Sequence, residues 1–277
     1  MRSLDDTIVI EAGKTSRISI KELWLYRELF YFFAWRDIKV RYKQTVLGAG
    51  WAILQPLLAA GIFTLFFNHV AKISSGASNV PYPVFAYLGL MYWNAFAAAL
   101  GTVSNSLLSN SGVLTKIYFP RLIPPLAATA LSIVDFFFAA IVFFIIMLGY
   151  RVSPGWQGFA LIIPSLVLLT VIALGVGLFF AALNVKYRDV RSALPFIIQI
   201  WFFVSPVIYP VSYIPARFQS LVYLNPVTGA ISSVKQGLFH EANDWHGLLI
   251  SWVVALIMLA IGLWYFKRTE KNFVDII

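Results

Sequence analysis

The chain has 277 residues, 60% apolar and 12% charged, with 21 Lys and Arg against 12 Asp and Glu for a formal charge of +9. Soluble domains run nearer half apolar and a quarter charged, so this composition argues against a water-soluble domain. The absence of Cys excludes disulfides, thiolate metal sites and a cysteine nucleophile.

Residues 1–45 are polar and charged, unlike a cleaved signal peptide with its short apolar core, and residues 1–50 make up the N-terminal region. They are expected to form a cytoplasmic tail followed by a helix. Residues 7–10 and 17–20 alternate weakly, as in a short strand-like or flexible tail. Gly13-Lys14-Thr15 has the look of a phosphate-binding loop, but that loop needs a Gly five residues before Gly13, where Ile8 stands. No ATPase signature follows, so no cofactor is expected on this chain. From Lys21 to Ala34 the pattern is helical, with Leu23, Tyr26, Phe30 and Phe33 on one face and Trp24 and Trp35 at the ends. Such a helix suits a membrane interface, or it packs on protein.

No Asp, Glu, Lys or Arg occurs between Lys43 and Lys72, Lys72 and Lys116, Arg151 and Lys186, or Arg191 and Arg217. A spanning helix needs about 20 such residues to cross about 30 Å of hydrocarbon. The spans predicted are 51–71, 83–106, 124–149, 157–184, 193–210 and 245–266, a six-span domain over 51–266 with a C-terminal tail over 267–277. Residues 211–244 hold Pro215 and Pro226 among apolar residues on both sides of Asn225-Pro226. They are too short for two crossings and fit a re-entrant hairpin, lying beside protein or water. All Lys and Arg except Lys72, Arg151, Arg217 and Lys235 fall on the side that holds both termini. The positive-inside rule makes that side cytoplasmic and explains the basic balance better than nucleic-acid binding does. The fold expected is an all-α membrane protein: six transmembrane helices, an N-terminal interfacial helix and a re-entrant outer hairpin.

Candidates for chemistry are few. Asp135 is the only carboxylate inside a proposed span. A charge there costs about 2.5–3.5 kcal/mol on insertion scales. It either faces a pathway or makes a buried structural hydrogen bond. His69, His240 and His246 lack metal-ligand spacing, and no catalytic set converges. Most Trp residues fall near span ends, as in an interfacial belt. Tyr87, Tyr92, Trp93 and Phe96, with Trp201, Phe202 and Tyr209, are alternatively pathway-lining rings on which sugar faces would pack.

The cytoplasmic segments form an ordered set. Trp35-Arg36-Asp37-Ile38-Lys39-Val40-Arg41-Tyr42-Lys43 continues through Gly48 to Trp51 and Gln55-Pro56; Lys116-Ile117-Tyr118-Phe119-Pro120-Arg121 lies between spans two and three; Asn184-Val185-Lys186-Tyr187-Arg188-Asp189-Val190 follows span four. With Asn225-Pro226, this set resembles the polysaccharide and polyol-phosphate export permeases of the ABC transporter superfamily over residues 20–270. The hairpin departs from that pattern: Ser232, Ser233 and Lys235 stand where an acidic residue and then an Arg are expected.

The resemblance implies a permease subunit in a bacterial inner membrane, a homodimer joined to two separate ATPase subunits that bind ATP and Mg. The cargo implied is a lipid-linked glycan, of O-antigen type or alternatively teichoic acid or capsular polysaccharide. Lys116, Tyr118, Phe119, Pro120, Arg121, Lys186, Arg188 and Asp189 become ATPase-coupling candidates, with Tyr118 and Phe119 as aromatic anchors for a partner's groove. Trp35, Arg36, Lys39, Arg41, Tyr42 and Lys43 become candidates for cargo entrance, either attracting anionic lipid or capturing a lipid phosphate through Arg. A membrane-bound glycosyltransferase or acyltransferase would want convergent acids or His, and a secondary transporter more ionisable groups inside the membrane.

Overall fold

The computed structural model describes residues 20–43, 50–70, 72, 74–76, 80–114, 116–187, 189–270 and 273. The tail over 1–19 with Gly13-Lys14-Thr15, residues 44–49 and Arg188 lie outside the described residues. Among the described residues every element is helical. In order these are α1 (Ile20–Leu25), α2 (Arg27–Lys43), α3 (Gly50–Phe63) running on as a π-helical stretch (Thr64–Val70), α4 (Tyr82–Ser109), α5 (Ser111–Leu114) and α6 (Ile123–Gly149). Then come α7 (Trp156–Lys186), α8 (Asp189–Val204), a 3-10 turn (Val211–Tyr213), α9 (Ala216–Val222), α10 (Pro226–Leu238) and α11 (Trp245–Thr269).

Four of these, α4, α6, α7 and α11, are long and apolar enough to cross a bilayer. At 1.5 Å per residue α4 and α7 reach about 42 and 46 Å, longer than the hydrocarbon alone requires. Proline helps set their starts: Pro83 opens α4 and Pro124 and Pro125 open α6, positions where the missing N–H would have no helical partner anyway. The expected span 51–71 is one rod of two kinds, α3 followed by the π stretch, with the Thr64 hydroxyl donating to the Ala60 carbonyl at 2.6 Å. The expected span 193–210 is displaced. Helix α8 starts at Asp189 and stops at Val204, because Pro206 and Pro210 lack the N–H that would continue the ladder.

Helix α4 is the centre, with α3, α6, α7 and α10 around it. Its apolar window is 78% buried, against 33% for α6 and 22% for α11. The latter two therefore turn most of their apolar surface outward. Helices α7 and α11 approach closely at Gly175 and Gly262, where a Cβ on Gly262 would sit 1.9 Å from the Gly175 carbonyl oxygen. Small residues permit such backbone contact between apolar helices.

Residues 211–244 form a helix-turn-helix with unequal limbs. Limb α9 is exposed, whereas α10 is buried along nearly its whole length against α4, α7 and α11. Asn225 joins them: its Oδ1 accepts the Val227 N–H as an N-cap and the Trp201 indole N–H at 2.9 Å, while its Nδ2 donates to Ser205 at 2.8 Å.

Candidate functional site

The basic segments converge at one end of the bundle. Helix α2 lies along the first half of α6 in the same direction. Phe33 and Ala34 pack with Phe119, Ile123 and Ala127, and further on the Tyr42 ring meets Phe138 at 5.8 Å between centroids. The opposite face of α1 and α2 leaves Trp24, Tyr31, Phe32 and Trp35 exposed. The helix therefore has two apolar sides, one on protein and one free, and Phe30 belongs with the exposed side rather than with Phe33.

Asp135 sits about 18 Å along α6 from Ile123. The α2 helix brings it partners that sequence spacing hides: Arg41 Nη2 lies 2.9 Å from its Oδ2, and the Tyr42 hydroxyl donates to its Oδ1. Burial first, then the hydrogen bond and charge of Asp135, push the Tyr42 phenol up, so it stays protonated as a donor. Arg36 is committed elsewhere: it pairs with Asp37 at 2.7 Å, donates to Asn110 Oδ1 at 2.8 Å and lies over the Phe33 ring. Lys39 and Lys43 are exposed. Beside the Arg41–Asp135 pair, α2, α3, α4 and α6 enclose a cleft of about 210 Å³ that Gln55, Pro56 and Asn94 also line.

The 116–121 segment splits in two. Lys116, Ile117 and Tyr118 are exposed, while Phe119 and Pro120 are buried. Phe119, expected as an anchor for a partner, packs within this subunit: its ring lies on Phe33 at 5.7 Å and holds the segment to α2. Arg121 donates to the Glu270 carbonyl and lies over the Phe273 ring, tying the segment to the end of α11. The Tyr118 phenol is pushed up by partial burial and then by the charges of Glu22 and Glu270. Across the α7–α8 junction Lys186 and Asp189 are exposed, the Lys186 Nζ lying 5.0 Å from the Tyr187 ring centre. Asn184 fixes that junction to α4 by donating to the Ser104 carbonyl at 2.8 Å.

Residues 28–239 match the membrane family described as ABC-2 type transporter. The chain belongs to that family. It is similar to the O-antigen export system permease protein RfbA of Myxococcus xanthus, 26% identical over 262 residues, covering 92% of this chain and 98% of that protein. An O-antigen export system permease protein RfbA of Klebsiella pneumoniae is 28% identical over 246 residues, 87% of this chain and 92% of that protein. The polysialic acid transport protein KpsM of Escherichia coli is 23% identical over 247 residues, 85% of this chain and 91% of that protein.

In this ABC-2 type transporter subunit the α4 aromatics lie inside the protein. Tyr87 donates to the Ala139 carbonyl and Tyr92 to the Ile162 carbonyl, and both are at most 1% exposed. Trp93 meets Phe202 at 5.3 Å, and Phe96 meets Trp201 at 5.0 Å between ring centres. Within one subunit these four rings pack α4 against its neighbours. Trp201 is half-buried, and Tyr209 donates to the Phe203 carbonyl.

At the opposite end the structure singles out Lys235, which sequence reasoning noted only as a departure from pattern. It is 4% exposed on α10. Its Nζ donates to the Val207 carbonyl at 2.7 Å and lies 3.6 Å from the Phe85 ring centre. Gly89 makes room for that turn: a Cβ there would sit 2.1 Å from the Val207 oxygen. A lone Lys in an otherwise uncharged 13-residue helix was the available signal.

Proposed function

We propose that this chain is the permease subunit of an ATP-driven exporter that carries a lipid-linked polysaccharide of O-antigen type out across the bacterial inner membrane. The observation that carries the reading is similarity to O-antigen export permeases over 87–92% of the chain. The geometry of the basic end supports it. In this reading two copies form the pathway and two ATPase subunits dock at the cytoplasmic face. Helix α3 with its π stretch, α4, α6, α7, α8 and α11 are the six crossings, both termini are cytoplasmic, α2 leads in from the cytoplasmic side beside α6 and α9–α10 is the re-entrant outer hairpin.

Each part has a physical role. Ile117 and Tyr118 are the exposed contacts for the ATPase, with Lys116, Lys186 and Asp189 around them. Phe119, Pro120 and Arg121 stiffen that contact by tying it to α2 and α11, so that motion imposed on it reaches α6. Lys39, Arg41, Tyr42 and Lys43 meet the cargo's phosphate where the end of α2 runs beside α6. Trp201 and Tyr209 remain candidates to meet the glycan, where the two subunits face each other. A capsular polysaccharide is the second reading, favoured by the similarity to the polysialic acid transport protein.

The test is ATP hydrolysis by the chain co-purified with its ATPase partner. Lipid-linked O-antigen is expected to stimulate hydrolysis in nanodiscs. Equal rates with and without any lipid-linked glycan contradict the reading, and stimulation by a capsular glycan alone selects the second.

A further inference from the structure

Three observations meet at Asp135. Its two oxygens are held separately, by the Arg41 guanidinium and the Tyr42 hydroxyl. An Arg fork beside a hydroxyl is also what recognises a phosphate ester. The pair borders the cleft lined by Gln55 and Asn94, whose side-chain amides supply further donors. At about 210 Å³ that cleft falls below the 300–1,000 Å³ of drug-sized pockets, so it suits a head group and not a run of sugars.

We infer that Asp135 is the resident anion of this site and determines its specificity. This rests on the proposed capture of cargo phosphate by Arg41. In the cargo-free subunit the carboxylate fills the anion position. An incoming head group must displace it and leave it without its partner. A monoanionic phospholipid offers Arg41 no more charge than the carboxylate it would replace. A diphosphate brings more charge and more acceptor oxygens, enough to engage Arg41, Tyr42 and the two amides together. The pair thus sets a threshold that excludes the bulk anionic lipids surrounding the site, a specificity built from an obstacle to the wrong ligand.

The experiment uses the full chain in nanodiscs and geranylgeranyl diphosphate as the probe. Binding is measured in phosphatidylcholine and in an equal mixture with phosphatidylglycerol. The unaltered chain is expected to bind the probe with little sensitivity to phosphatidylglycerol. Asp135→Asn is expected to bind it about tenfold more tightly in phosphatidylcholine, and to lose about tenfold when phosphatidylglycerol is added, the scale of one charge-assisted contact. Asp135→Ser repeats the measurement if the Asn variant does not insert. Weaker binding by both variants in phosphatidylcholine, or phosphatidylglycerol sensitivity equal to that of the unaltered chain, overturns the inference while leaving the capture reading intact. No binding by the unaltered chain overturns both. Equal competition by inorganic diphosphate at the same concentration assigns the site to free phosphate and overturns its selection among lipids.

Discussion

The two ends of the bundle treat cations differently. Reaching in from the basic end to about halfway along α6, Arg41 is shared between α2 and α6, and its side chain stays 41% exposed. At the opposite end Lys235 is only 4% exposed and is held by carbonyls and a ring. A cation that must exchange partners cannot be sealed, because a buried charge stripped of its partner is strongly destabilising. One that fixes a turn can be sealed where carbonyls and a ring replace the water it loses, although burial disfavours its charge. On the proposed function the basic end exchanges contacts, whereas Lys235 ties α10 to the turn after α8 and to Phe85 of α4.

Substitutions can break or sharpen this contrast. The largest loss of stability is expected from Phe119→Ala, about 3–5 kcal/mol for a fully packed aromatic, read as detergent unfolding. This would show that the basic end has a rigid layer beneath its exposed residues. Lys235→Ala is expected to cost about 1–3 kcal/mol for the orphaned Val207 carbonyl, with some further loss for the cavity. A cost near zero would put Lys235 on the exchanging side of the contrast. Tyr118→Ala should change stability by no more than about 0.5 kcal/mol, as for other exposed positions. In the complex it should nevertheless remove glycan-stimulated ATP hydrolysis. Intact stimulation would leave Tyr118 as a surface residue only.

Much of this was legible in the sequence. Charge-free runs gave α4, α7 and α11 nearly to their ends, and α6 followed despite Asp135, because crossing length and apolar composition are properties of a contiguous stretch. Asn225-Pro226, with apolar pieces on both sides, marked the turn between α9 and α10. The register between distant segments was not legible. Nothing local says that Arg41 reaches Asp135, or that Phe119 faces α2 while Tyr118 faces out: adjacent residues in a short irregular segment point in directions that only tertiary contacts fix. The α4 rings were ambiguous for a related reason. A central helix and a pathway-lining helix are both rich in aromatics, and the difference lies in which neighbours surround them.

The assignment of the basic end to the cytoplasmic ATPase is tested most directly by single-cysteine cross-linking, since the chain has no Cys of its own. Tyr118→Cys and Ala216→Cys place one thiol on an exposed position at each end. The account predicts that Cys at 118 cross-links to the ATPase partner, and that Cys at 216 reacts with a membrane-impermeant maleimide applied from outside the inner membrane. Cross-linking of the ATPase at 216, or labelling of 118 from outside, contradicts it.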